Sequence, residues 1–102
     1  MARKAFAIEY AQEAVQDIRL LQAHDRKKVV DGIETHLIRD PVRVSRSRIK
    51  EMTQPFWSQY RLRVDEFRVY YDVGLEKRTV SILRILEKGK KETIKEPNHE
   101  TR

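Results

Sequence analysis

Residues 60–72, YRLRVDEFRVYYD, restrict the possible folds more than any other stretch of the chain. Leu62, Val64, Phe67 and Val69 alternate there with Arg61, Arg63 and Arg68, around the pair Asp65-Glu66. Strand side chains point to opposite faces with a period of two, so the segment reads as two short strands joined by a two-residue turn. One face of that hairpin is apolar and the other carries three guanidiniums. The apolar face requires a cover, and the arginine face requires a reason.

The cover is legible upstream. Residues 4–10 alternate, with Phe6, Ile8 and Tyr10 on one side, as in a half-buried strand. From Ala11 the period changes. Ala11, Ala14, Val15, Ile18 and Leu21 recur at helical spacing, predicting an amphipathic helix over 11–23. Asp25 is placed to N-cap a second helix that runs to about residue 39 on Val29, Val30, Ile33 and Leu37. Asp40-Pro41 ends it, because the residue before a proline is pushed out of helical geometry. Downstream, Arg48–Met52 admits a short strand and Thr53-Gln54-Pro55 marks a turn. After the hairpin, Gly74 suits a second turn, and TVSILRILE over 79–87 reads as a largely buried strand. From Lys88 the chain is polar, with a flexible tail expected over about 92–102. The expectation is one α+β domain spanning 1–102: an antiparallel sheet of about four strands in the order β-α-α-β-β-β, with the helical hairpin packed on one face.

Charge is unevenly placed. Residues 1–40 hold seven Lys/Arg and seven Asp/Glu, so the whole net charge of +6 belongs to residues 41–102. VRVSRSRIK, 42–50, has four cations and no acid. A one-sided positive field attracts polyanions such as nucleic acid or an acidic protein. No apolar run approaches the ~20 residues of a membrane span, and MARKAFAIEY is too poor in apolar residues for a secretion signal. With no cysteine, and with His24, His36 and His99 scattered, neither disulfides nor a metal site is expected, and no cofactor. A cytoplasmic protein without a membrane partner is the corresponding expectation.

If helices cover the apolar face, Arg61, Arg63 and Arg68 share the open one. Arg84, the lone cation inside TVSILRILE, is costly there unless it reaches solvent or a partner, and the same open face would provide that. Arginine suits phosphate because its planar fork binds oxygens in pairs and stays charged. The competing reading pairs these arginines with Glu66, Asp72 or Glu87 in surface ion networks. Trp57, with Phe56 and Tyr60 beside it, is read as capping the small core, with base stacking as the alternative.

The strand opening FAIEY, the helical hairpin ending in HLIRDP, and YRLRVDEFRVYYDV followed by VSILRILEKGKKE together resemble the RelE/ParE superfamily of type II toxins over nearly the whole chain. The resemblance implies a small sheet packed on two helices. It also implies a toxin neutralised by a cognate antitoxin that covers its basic groove. Many such toxins cleave messenger RNA on the ribosome without a metal, and some poison DNA gyrase. Carried over by position, the catalytic arginines would be Arg61 and Arg63 before the turn, Arg68 after it and Arg84 on the last strand. Arg46, Arg48, Lys50, Lys88, Lys90 and Lys91 would hold the RNA. The RNase members often place a tyrosine near the C-terminus. This chain has none after Tyr71, so the general acid and base stay unassigned, and two other readings stay open: a gyrase poison without nuclease activity, and a degenerate module that only binds its antitoxin.

Overall fold

The alternation in residues 60–72 does form a hairpin, and the rest of the sheet is built outward from it. A computed structural model describes residues 5–89. In chain order the elements are β1 (Ala7–Tyr10), α1 (Gln12–Arg19), α2 (Ala23–Leu37), β2 (Ile49–Glu51), β3 (Tyr60–Val64), β4 (Phe67–Gly74) and β5 (Thr79–Glu87). They make an α+β fold with one five-stranded sheet in the order β1-β5-β4-β3-β2. The sequence patterning predicts about four strands, all antiparallel. Two details differ: the short Ile49–Glu51 segment completes a fifth strand, and β1 runs parallel to β5. The parallel pair follows from topology. The meander β2–β5 returns across the sheet one strand at a time, and its last strand falls in beside the first.

The helical hairpin buries its stripe on one sheet face. Val29, Ile33 and Leu37 of α2 and Ala14 of α1 are fully buried against Leu62, Val69, Val80, Ile82 and Tyr71. Each such aliphatic side chain contributes roughly 1.5–3 kcal/mol of burial free energy. Gly32 lets α2 come close to β3. A Cβ placed there would lie 2.8 Å from a methyl of Val64.

Asp25 is not the N-cap of α2. The helix begins at Ala23 with Gln22 as its cap, so His24 and Asp25 lie in the first turn, 3.2 Å apart. The sharp link between the helices is held instead by Arg26, whose guanidinium donates to the carbonyls of Leu21 (2.9 Å) and Ile18 (3.4 Å). Both carbonyls lie at or just past the end of α1, and that of Ile18 also accepts from the Leu21 amide at 3.1 Å. The Asp65-Glu66 turn places Asp65 at φ 52, a conformation Asp tolerates better than most residues. Lys28 of α2 reaches Asp65 at 3.1 Å and ties the helix to the turn.

Lys90, Lys91, His99 and the tail over 92–102 lie outside the described residues. Among those described, no helix is long and apolar enough to cross a membrane.

Candidate functional site

Strand register determines which side chains share the face that the helices leave open. Lys50 of β2 stands opposite Arg61 of β3, Arg61 opposite Tyr70 of β4, and Tyr70 opposite Arg84 of β5. One step along the hairpin, Arg63 stands opposite Arg68, and Arg68 opposite Leu86. Leu62, Val64, Phe67 and Val69 fall on the other face, inside the core. The alternation therefore separates arginines from core as the hairpin's period requires.

The segment before β2 completes the site. Tyr71 lies in the core, yet its hydroxyl donates to the carbonyl of Pro41 at 2.6 Å and so pins the chain as it leaves α2. Burial pushes the Tyr71 phenol far above its ordinary pKa, so it stays a donor. The Ser45 hydroxyl then accepts from the amides of Arg48 (3.1 Å) and Ile49 (3.3 Å), folding residues 45–49 into a turn beside β2. Arg48 donates a guanidinium hydrogen to the Arg63 carbonyl at 3.1 Å. The result is a groove of about 150 Å³ whose charged lining among the described residues is Arg46, Arg48, Lys50, Arg61 and Arg63, with no acid.

Arg61, Arg63 and Arg68 enter no ion pair among the described residues. The networks with Glu66 or Asp72 weighed from the sequence do not form there, and the Asp72 carboxylate instead accepts from the Gln59 amide at 2.7 Å. Lys88 stands at the hairpin end, beside Arg48 and Arg63 but also beside Asp65 and Glu66, where the local charge is mixed.

Arg84 requires a correction. Its register matches the open face, but its guanidinium is not free. Nε and Nη2 donate to the two oxygens of Asp17 on α1, at 2.8 and 3.0 Å. The Ile85 amide donates to the same carboxylate at 2.8 Å, just past the point where the β1 pairing ends. The Asp17 bond raises the Arg84 pKa above its already high ordinary value. Leu83 is the extra residue of a bulge between the Tyr70 and Tyr71 pairings, which offsets β5 at this point. A lone arginine in an apolar strand signals a partner. Choosing Asp17 from 67 positions away needed the fold.

Trp57 also departs from expectation. It does not cap the core: its ring packs over Tyr70 on the opposite, open face, with centroids 4.8 Å apart. His24 and His36 sit on α2, which covers the far side of the sheet. Burial and the charge of Arg48 lower the His36 pKa. Among the described residues no cluster of His, Asp or Glu could hold a metal ion.

The model of the family described as ParE toxin of the type II toxin–antitoxin system parDE matches residues 8–91. The chain belongs to this family. The match spans the helical hairpin, the groove and the arginine hairpin, and ends just past β5. In fold, this ParE-family toxin is similar to a chain of the RelBE2 toxin–antitoxin complex from Mycobacterium tuberculosis, with 24% identity, a TM-score of 0.72, and coverage of 82% of this chain and 99% of that one. It is also similar to a chain of the archaeal RelE–RelB complex from Pyrococcus horikoshii, at 17% identity and TM-score 0.68, covering 84% and 98%. A double arginine-to-alanine mutant of the E. coli toxin RelE in the free state matches at 19% identity and TM-score 0.60, over 81% and 83%. Comparison with curated proteins gives no match.

Proposed function

We propose that this ParE-family toxin acts on messenger RNA at the ribosome as an endonuclease, and that a cognate antitoxin neutralises it. The observation that carries the reading is the groove in which Arg46, Arg48, Lys50, Arg61 and Arg63 converge, with no acid among the described residues. A phosphodiester backbone is the ligand such a lining favours, since each charge-assisted hydrogen bond to phosphate contributes about 1.5–3 kcal/mol. In the proposed step the 2′-hydroxyl oxygen of the RNA bonds to its own phosphorus, and the bond to the departing 5′-oxygen breaks. Arg61 and Arg63, with Arg68 beside them, stabilise the charge that builds on the phosphate oxygens. Arg84 serves as a positioning residue that locks α1 to β5. The described part of the groove offers no histidine or tyrosine for the two proton transfers. A ribosome that orients the RNA reduces the demand on them.

The similar folds in complexes named for a RelE or RelBE toxin–antitoxin pair support the antitoxin partner. An acidic or amphipathic segment laid on the basic face is the expected cover. A second reading, poisoning of DNA gyrase without nuclease activity, is favoured by the lack of an acid–base pair among the described residues of the groove.

Expression of the chain without an antitoxin, followed by mapping of RNA ends on translating ribosomes, separates the two. The expected result is growth arrest with discrete cuts in messenger RNA, abolished in Arg61→Ala/Arg63→Ala. Arrest with intact messenger RNA and accumulated gyrase-cleaved DNA would overturn the nuclease reading.

A further inference from the structure

We propose that the stacked rings of Phe56 and Trp57 are a base-stacking subsite for the RNA strand whose phosphates lie in the cationic groove. The proposal rests on the nuclease reading and names where that enzyme grips a base.

The rings are on the catalytic side of the molecule. Tyr70 stands directly opposite Arg61, and the next strand over carries Lys50 opposite that same arginine. Trp57 lies on Tyr70 at 4.8 Å, and Phe56 stacks on Trp57 with centroids 4.9 Å apart and planes 26° from parallel. Tyr70 is 4% exposed although it faces away from the helices, because these two rings cover it. Neighbouring strands are spaced by about 4.8 Å, so the aromatic patch begins about one strand from the Arg61 backbone. That separation is comparable to the reach from a backbone phosphate to its base.

The rings are not needed by the main core, which is closed on the far side of the sheet and does not include them. Phe56 remains 36% exposed. Its loop is nonetheless held firmly. The Gln54 amide group donates to the carbonyls of Met52 (3.3 Å) and Ser58 (3.2 Å), and its oxygen accepts from the Phe56 amide. The buried Ser58 hydroxyl donates to the Tyr60 carbonyl. Gln59 is tied to β4 twice, through Asp72 and through the Val73 amide. An exposed aromatic ring on a braced loop, next to cations without acids, is the combination that binds single-stranded nucleic acid by its base faces and its phosphates together. Every base presents a π-face, so the subsite would add affinity at one nucleotide with little sequence preference.

Trp57 is the only tryptophan, so its fluorescence reports on this patch alone. The full-length chain is titrated with a short 2′-O-methyl RNA, which cannot be cleaved, and with an abasic ribose-phosphate strand of equal length. The RNA should quench Trp57 and the abasic strand should not. Phe56→Ala should weaken RNA binding roughly tenfold and leave abasic-strand binding unchanged. Phe56→Tyr should restore it. Phe56→Leu, which keeps apolar bulk without a π-face, should behave like Phe56→Ala and stands in for it if the alanine variant does not fold. RNA affinity unchanged in both variants would overturn the subsite, whatever else the patch might anchor, and would leave the nuclease reading intact. If the wild-type chain binds neither strand, the subsite and the nuclease reading fail together.

Discussion

Arg61, Arg63, Arg68 and Arg84 share one side-chain chemistry, and their environments assign them different work. Arg61, Arg63 and Arg68 have no acidic partner among the described residues, whereas Arg84 is held by both oxygens of Asp17. Asp17 has 13% of its side chain exposed, and Arg84 26%. Removing the arginine leaves a largely desolvated carboxylate with only the Ile85 amide for support. Arg84→Ala should therefore lower stability by about 1–3 kcal/mol, visible as a fall in Tm of several degrees. Arg84→Lys should fall between, because an ammonium keeps the charge without the fork. Arg61→Ala, by contrast, should change stability by less than about 0.5 kcal/mol while reducing activity. Urea melts of the three variants check this. A stability loss in Arg61→Ala equal to that in Arg84→Ala would contradict the division.

At the scale of elements, the close approach of α2 to β3 is the most sensitive joint. In an exposed helix, alanine stabilises by about 1 kcal/mol relative to glycine. At Gly32 the sign should reverse, because the added Cβ would meet Val64 methyls at 2.8 and 3.1 Å. A β-branched valine has little freedom to swing aside, and overpacking of this kind costs about 1–3 kcal/mol. Gly32→Ala should thus lower Tm, and adding Val64→Ala should recover more than the sum of the single effects allows. A double-mutant cycle by thermal melting measures that coupling. The arginine hairpin hangs on this joint, since Val64 precedes the Asp65 turn that Lys28 of α2 also grips.

For the molecule as a whole, charge is polarised. All +6 of the net charge belongs to residues 41–102, whose described part, 41–89, forms the groove and most of the sheet. A field of this kind speeds encounter with an acidic partner, while burial of apolar surface sets how long the partner stays. Salt screens interactions beyond about 8–10 Å. Association of the proposed antitoxin should slow steeply with added salt, with dissociation changing much less. Stopped-flow mixing at two salt concentrations reads both rates. An association rate indifferent to salt would separate the antitoxin from the arginine face.

Much of this was legible in the residues themselves. A period of two around Asp65-Glu66 required a hairpin with arginines on one side, and a period of 3.6 in Val29, Ile33 and Leu37 required a helix to cover the other. These are local rules, in which the geometry of a strand or helix sorts side chains before any distant contact forms. VRVSRSRIK likewise announced a basic segment. What the sequence did not contain was distance. That β1 pairs parallel with β5 and that Asp17 claims Arg84 depend on pairings between segments far apart in the chain, and that Trp57 lies on the open face against Tyr70 depends on how a loop folds back over the hairpin. Alternation tells which side of its own strand a residue occupies, but not which acid or ring waits there. Packing of α1 against β5 decided that Arg84 holds the fold together, and the return of the loop over 53–59 across the sheet placed the aromatic rings beside the cations.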